Sequence, residues 1–380
     1  MNFSWSDEQN ELYEGARKLA ASDLKIDGAP GAAATFEPKK WRALADAGVL
    51  GLSVPTKHGG LGFDRLTSTK VMEGLGAGAE DLGILFSASA HLFATVMPIV
   101  EHAEDVLKER YVRNLAGGRW IGANAISEAQ AGSDVFALRT QARREGDRYI
   151  LNGEKSYVTN APVADVFLVY ATTKPADGFL GISAFVVERG FEGVEVGQSF
   201  ERAGLQSSPA SMVYFSDCEV PVQNRVGAEG QGAAIFRGSM NWERVCLFSI
   251  YAGMLEQQLD RTLEYASRRK QGGRPIGKNQ AVSHRIVDMK IRLDTARLLL
   301  YRAAWLADQG ADAVVESSIA KLAVSEAAQA SSLNAMQIHG AMGTHVDSGL
   351  ERMLRDSLPS TVFSGTSEIQ RELIARGLGL

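Results

Sequence analysis

The sequence predicts a multi-domain α and β chain in three parts. These are an N-terminal helical domain over residues 1–118, a central small β-barrel or sandwich over 119–228, and a C-terminal four-helix bundle over 229–380. Three observations predict it. Apolar residues recur at helical spacing in the first third, short β-branched and aromatic runs separated by turns fill the middle third, and long uninterrupted helical segments make up the rest.

In the first part, Ser6 and Gln9 form a capping box, and Leu12, Ala16, Leu19 and Ala20 follow on one helix face. Asp46-Ala47-Gly48 closes a helix, and Pro55 to Gly60 reads as a loop. Helix is expected again over Thr67–Leu82, over the apolar stretch Ile84–Val100 with a break near Pro98, and over Glu104–Leu115. In the middle part, Tyr149 to Lys155 reads as a strand and tight turn at Asn152-Gly153. Asp165–Thr172, Ile182–Val187, Glu192–Val196, Met212–Phe215 and Cys218–Val220 read as further strands. In the last part, Ala233–Arg268, Asn279–Gln309 and Asp312–Gln337 have lengths that suit an antiparallel bundle.

Composition narrows the function classes. The 380 residues carry a net charge of -5, with 40 basic and 45 acidic residues and no long like-charge run, which argues against nucleic-acid binding. Two cysteines, Cys218 and Cys246, are too few for a disulfide framework and point to a reducing, cytoplasmic setting. The start, Met1 to Glu8, has no basic region followed by an apolar run, so no leader is expected; no apolar run reaches membrane-spanning length, so no membrane partner is expected either.

Several motifs fail on context. Gly272 to Lys278 resembles a phosphate loop, but Asn279 replaces its Ser or Thr, and a helix ending in Arg268-Arg269-Lys270 precedes it where a strand is needed. Gly74, Gly76 and Gly78 suit close helix packing better than a dinucleotide fingerprint. The 6 histidines show no metal-binding spacing, so no metal is expected, and no nucleophile elbow surrounds Ser364.

Four segments together resemble the acyl-CoA dehydrogenase family: Asn124 to Asp134, Asn152 to Ala161, Tyr265 to Gln271 with Pro275, Ile276 and Gln280, and Gln337 to Gly340 followed by Phe363 to Gln370. The resemblance spans most of the chain and implies the same helix–strand–helix layout. It also implies FAD held without a Rossmann fold. By that resemblance Ile126, Ser127 and Ser133 line the flavin. Tyr157, where the family usually has Trp, flanks it, and Thr159 bonds near its N5. Arg269 would meet the FAD pyrophosphate of a neighbouring subunit, with Gln280, Gln337, Gly340 and Ala341 across the same interface and Thr366 and Glu368 at the adenosine and pyrophosphate portion. A homo-oligomer, a tetramer, is therefore expected. The family's usual Phe-Gly after the Arg269 step is replaced by Gly272-Gly273, which removes an aromatic contact.

The family's chemistry takes a proton from the α carbon and a hydride from the β carbon of a thioester. Most members place the base, a glutamate, immediately before the Gly-Thr of the last segment; here that residue is Ser364. A minority keep it on the first long helix of the bundle, where this chain has Glu243. Glu243 is thus the expected base, with Ser133, Met240, Arg244, Ser364 and Gly365 as substrate contacts. The alternative is a surface carboxylate paired with Arg244, although adjacent helix residues do not share a face.

The spelling from Gly232 to Glu243, with Val362 to Thr366, is similar to the branch that oxidises thioesters on carrier proteins in natural-product pathways, such as prolyl to pyrrolyl thioesters. The implied partners are an acyl or peptidyl carrier protein, and an electron-transfer flavoprotein or O2 as acceptor. A short- or branched-chain acyl-CoA substrate and a catalytically silent flavin-binding paralogue are the other readings.

Overall fold

The computed structural model describes residues 4–26 and 34–380. Residues 1–3, part of the N-terminal stretch read above for a leader, lie outside the described residues.

Helices α1 (Asp7–Asp23), α2 (Pro38–Asp46), α3 (Arg65–Gly78), α4 (Leu82–Ser89), α5 (Met97–His102) and α6 (Asp105–Ala116) build the N-terminal part. The Ser6–Gln9 capping box forms, with both reciprocal hydrogen bonds at the start of α1. Such caps are worth about 1 kcal/mol. The helix expected over Thr67–Leu82 instead runs Arg65–Gly78, because Asp64 caps its start and Asp81 caps the next helix. Short 3-10 turns occupy Thr56–His58 within the predicted loop. The three α3 glycines are packing residues. A Cβ at Gly74 would lie 2.5 Å from the Tyr13 carbonyl oxygen, and Cβ atoms at Gly76 and Gly78 would strike the Ile250 and Arg17 carbonyls.

The break expected near Pro98 does not occur. From α4 the helix runs on to α5, passing through a π-helical segment, Ala90–Val96. Proline lacks an N–H and crowds the carbonyl one turn before it. The wider turns, in which Met97 N–H reaches the Leu92 carbonyl, absorb that conflict upstream of Pro98. The span Leu82–His102 is long and apolar enough to cross a membrane, yet 89% of its most apolar window is buried, as in a core helix.

The middle part contains β1 (Gly122–Ala125), β2 (Gln141–Glu145), β3 (Arg148–Thr159), β4 (Val166–Thr172), β5 (Ile182–Glu188), β6 (Val194–Val196), β7 (Ala210–Pro221) and β8 (Arg225–Val226). They form one sheet in the order β6-β7-β3-β2-β4-β5-β8, with β1 paired to β4. Two expectations fail here for one reason. Asn152-Gly153 is not a turn, and Met212–Phe215 and Cys218–Val220 are not separate strands. A bulge places Ser216 and Asp217 opposite Asn152, whose amide group bonds the Asp217 carboxylate and backbone N–H, both at 2.9 Å. The real turn is Gly146-Asp147, between paired Glu145 and Arg148. Every residue of β4 before Thr172 is buried, because alternate side chains serve two cores. Phe167, Val169 and Ala171 point into the β core, whereas Val166, Leu168 and Tyr170 join the helical core.

The last part begins with α7 (Gly232–Trp242), a second π-helical segment (Glu243–Leu247) and α8 (Ser249–Arg268). A ribbon of β9 (Lys270–Gln271) and β10 (Arg274–Pro275) leads to α9 (Gln280–Asp308), α10 (Val314–His339), α11 (Leu350–Ser357) and α12 (Ser367–Gly377). Helices α8, α9 and α10 pack together, with α11 and α12 against α10. Gly272 and Gly273, at φ 57° and 80°, make the two-residue turn of the ribbon. Left-handed conformations at both positions favour glycine, so the local loop is built without the family's aromatic residue.

Candidate active site

Glu243 stands where α7 widens into its π segment, a rare geometry found often at functional sites. The residue before it is firmly held. Trp242 stacks on Phe93 at 5.9 Å, donates its indole N–H to Glu101 at 2.8 Å, and lies under the Arg65 guanidinium at 3.9 Å. Phe93 belongs to the first π segment, so the two irregular turns brace each other. Glu243 is 8% exposed. The Ser364 hydroxyl donates to its Oε2 at 2.7 Å. The two alternative base positions of the sequence thus meet at one place.

Ser364 has φ 54°, in a left-handed turn with Gly365 ahead of α12. Gln370 locks that turn by donating to the Ser364 and Gly365 carbonyls at 3.1 and 2.9 Å. The Thr366 hydroxyl caps α12, and Glu368 lies in its first turn. Arg244 is buried too, and its Nε donates to the Ser364 carbonyl at 3.4 Å. Among the described residues no direct ion pair joins it to Glu243, and neither is at the surface. Burial pushes the Glu243 carboxyl up to about 7, opposed by the Ser364 hydrogen bond and the Arg244 charge. Burial also pushes Arg244 down to about 10. Met240 is buried one helical turn before Glu243.

Across from α7 lies the sheet. Tyr170 on β4 is buried, and burial first and then the Glu243 charge raise its pKa, opposed by the Ser239 hydroxyl nearby on α7. Strand β1 runs beside β4, pairing Ala125 with Val169, so Ile126 and Ser127 emerge next to Tyr170. The Ser156 N–H donates to the Ser127 carbonyl at 2.8 Å and joins the first two family segments. At the β3 bulge Tyr157 takes φ 56° and leaves its ring 70% exposed, 5.4 Å from Phe200. Ser133 is exposed, and Thr159 is half-buried at the end of β3. The exposed Ser133 hydroxyl, the half-buried Ser127 and Thr159 hydroxyls, the exposed Tyr157 ring and an adjoining backbone edge suit a flavin ring system.

Beneath this edge sits a buried ion pair. Lys155 Nζ donates to Glu128 Oε1 at 2.8 Å and to the Ile126 carbonyl at 3.1 Å. Glu128 also accepts from the Arg139 and Thr140 N–H groups and the Thr140 hydroxyl, at 2.7, 3.0 and 2.7 Å.

Arg269, Gln280, Gln337, Gly340 and Ala341 are all exposed, and they are not at the Glu243 end. Tyr265 stacks on His339 at 4.2 Å, which ties the end of α8 to the Gln337–Ala341 segment. At 1.5 Å per residue, about 39 Å of helix separates Arg269 from Glu243. One subunit therefore does not gather the whole predicted set, whereas Ser364, Gly365, Thr366 and Glu368 do lie with Glu243.

Sequence reasoning assigned no role to Glu128, Lys155, Tyr170 or Lys321. Lys321, buried on α10 with no hydrogen-bond partner among the described residues, is pushed down to about 7 by burial and then by the nearby Arg244 charge. Its signal was available: a lone cation within Ile319-Ala320-Lys321-Leu322-Ala323. Tyr170 is likewise the only polar side chain between Val166 and Ala171.

A helical, a β and a second helical domain around a buried carboxylate define an acyl-thioester dehydrogenase architecture. The chain belongs to the acyl-CoA dehydrogenase family: its N-terminal, middle and C-terminal domain models match residues 6–119, 123–218 and 230–379. It is 46% identical to an L-prolyl-[peptidyl-carrier protein] dehydrogenase of Pseudomonas fluorescens over 381 aligned residues, covering 100% of both chains. It superposes on PigA with FAD and proline at a TM-score of 0.96 and 41% identity, covering 100% of both. The prolyl acyl carrier protein oxidase AnaB matches at 0.96 and 38% identity, over 99% of this chain and 100% of that one.

Proposed function

We propose that this chain is an FAD-dependent dehydrogenase of an L-prolyl thioester carried on a peptidyl carrier protein, forming the pyrrolyl thioester in secondary metabolism. The observation that carries the chemistry is the buried Glu243 carboxyl, near pKa 7 and held by the Ser364 hydroxyl. A base for a carbon acid works best with a pKa near the operating pH.

Glu243 takes the α proton as a carboxylate. Ser364 orients it, donating one hydrogen bond and leaving the other carboxylate oxygen for substrate. Arg244, through the Ser364 carbonyl, holds the turn against α7. Ile126, Ser127, Ser133, Tyr157 and Thr159 would hold the flavin against the sheet edge, and Arg269 of a second subunit would meet its pyrophosphate. FAD held there would supply a two-electron hydride acceptor for the β carbon; prolyl to pyrrolyl is a loss of four hydrogens, so two such oxidations would be needed, with the electron acceptor restoring FAD between them. The roughly 39 Å between the two residue sets supports a homo-oligomer, for which we take the tetramer. The naming of AnaB as an oxidase supports O2 over an electron-transfer flavoprotein as acceptor. The free, buried Cys218 and Cys246 support a cytoplasmic enzyme.

The test is stopped-flow reduction of the bound flavin by prolyl-loaded carrier protein, with mass spectrometry of the carrier for loss of four hydrogens. Bleaching by prolyl carrier but not by short-chain acyl-CoA is expected. Faster bleaching by acyl-CoA would replace the substrate assignment, and no bleaching by any thioester would leave a flavin-binding protein without this activity.

A further inference from the structure

Several exposed arginines of this chain are neutralised: Arg110, Arg268, Arg302, Arg371 and Arg376 each meet a glutamate. Arg237, exposed on α7, is different. Among the described residues it has no ion pair or hydrogen bond. Its guanidinium carbon lies 5.6 Å from the ring centres of both Phe136 and Phe179. Two aromatic faces therefore fix the cation without using its N–H donors. Phe179 is itself 47% exposed, on the turn Pro175–Gly181 between β4 and β5, and its neighbour Leu180 is 62% exposed.

The same rings connect this surface point to the buried carboxylate. Phe179 contacts Phe136 at 6.4 Å, Phe136 contacts Phe236 at 6.2 Å, and Phe236 meets Tyr170 at 5.8 Å. Phe236 lies seven positions before Glu243 on the same continuous helix, two turns along the same face. A chain of ring contacts thus links the α7 face that carries Glu243 to an unpaired guanidinium set against two aromatic rings. A ligand that suits it is elongated, reactive at its inner end, apolar or amide-like along its length, and anionic at its outer end.

We propose that Arg237 receives the phosphate at the outer end of the phosphopantetheine arm that delivers the thioester to Glu243. This rests on the function proposed above. Guanidinium matches phosphate with paired N–H donors, and an aromatic clamp lowers the entropy lost on binding. The shared chemistry is a pantetheine phosphate, found on a carrier protein and on coenzyme A.

Calorimetry on the FAD-loaded protein tests it. Wild type should bind 4′-phosphopantetheine about tenfold more tightly than pantetheine, equivalent to about 1.4 kcal/mol. Arg237→Gln should erase that preference and Arg237→Lys should keep part of it, with FAD content and pantetheine affinity as checks on folding. Arg237→Gln should weaken carrier protein bearing the arm by the same factor and leave the arm-free carrier unaffected. Coenzyme A shows whether the site takes the phosphate from either source: a similar weakening there supports a site for the phosphate itself. No phosphate preference in wild type, a preference retained in Arg237→Gln, or equal weakening of the arm-free carrier would each overturn the proposal. Wild type that fails to oxidise any prolyl thioester yet shows the Arg237-dependent preference would sink the substrate assignment and not this site.

Discussion

Two glutamates are almost equally buried, Glu128 at 6% exposure in the β domain and Glu243 at 8% in the helical part, and their acidities move in opposite directions. Burial raises both. For Glu128 the Lys155 ammonium, the Thr140 hydroxyl and two backbone N–H groups outweigh it and hold the carboxyl below its usual range. For Glu243 one hydroxyl and one indirect cation do not, and the carboxyl rises to about 7. Burial sets the cost of charge, more heavily at Glu243, and the donors and neighbouring charges decide whether it is met. A fully satisfied carboxylate is a strut; one left short of donors can take up a proton.

The largest expected effect separates the two chemically. Glu243→Gln should fold, keep FAD, and slow substrate bleaching of the flavin by about 10²–10⁴-fold, because an amide cannot accept the α proton. An unchanged bleaching rate by stopped flow would remove Glu243 from the chemistry. Glu243→Ala with Ser364→Glu should recover part of the rate, since the two side chains already meet.

The reverse change should act on stability. Glu128→Gln leaves buried Lys155 without its counter-charge, which commonly costs about 3–5 kcal/mol. Urea unfolding should show that loss, and FAD should bind more weakly because Lys155 also holds the Ile126 carbonyl. Glu243→Gln, which removes a poorly solvated carboxyl, should show no such loss.

The pH dependence should differ in sign. The folded-state pKa of Glu243 is raised, so its neutral form adds stability below pH 4.5, and that contribution is lost as pH rises toward about 7. It amounts to about 3 kcal/mol at most. Glu243→Gln should therefore be more stable than wild type at pH 8 and closer to it at pH 4. The depressed pKa of Glu128 works oppositely: stability present above its unfolded value is lost as pH falls. In activity, the rate of flavin reduction should climb through an apparent pKa near 7 as Glu243 ionises, and a flat profile from pH 6 to 8 would contradict that role.

The smallest effect tests the single hydrogen bond. Ser364→Ala removes a donor to the Glu243 carboxylate and should move the activity limb to higher pH at a cost of about 1 kcal/mol. A shift to lower pH would show that the hydroxyl does not stabilise the charged form.

Local signals were written plainly in the chain. Periodicity located most of the long helices, Ser6 and Gln9 announced the first cap, and the resemblance to the family, with Ser364 where a glutamate is usual, pointed to Glu243. Asn152-Gly153 misled because the same dipeptide serves a turn or a bulge, and the choice belongs to the partner strand carrying Asp217. Pro98 misled because a neighbouring π segment supplied the room it needed. The sequence by itself therefore determined the three-part layout and most of the long helices, since these follow from spacing and residue type, and its four motif segments carried the family resemblance. Tertiary structure alone decided that Glu243 and Ser364 touch across 121 positions, that Glu128 meets Lys155, and that Arg237 ends an aromatic path. Donor count and desolvation are properties of the packed neighbourhood, and no run of adjacent residues encodes them.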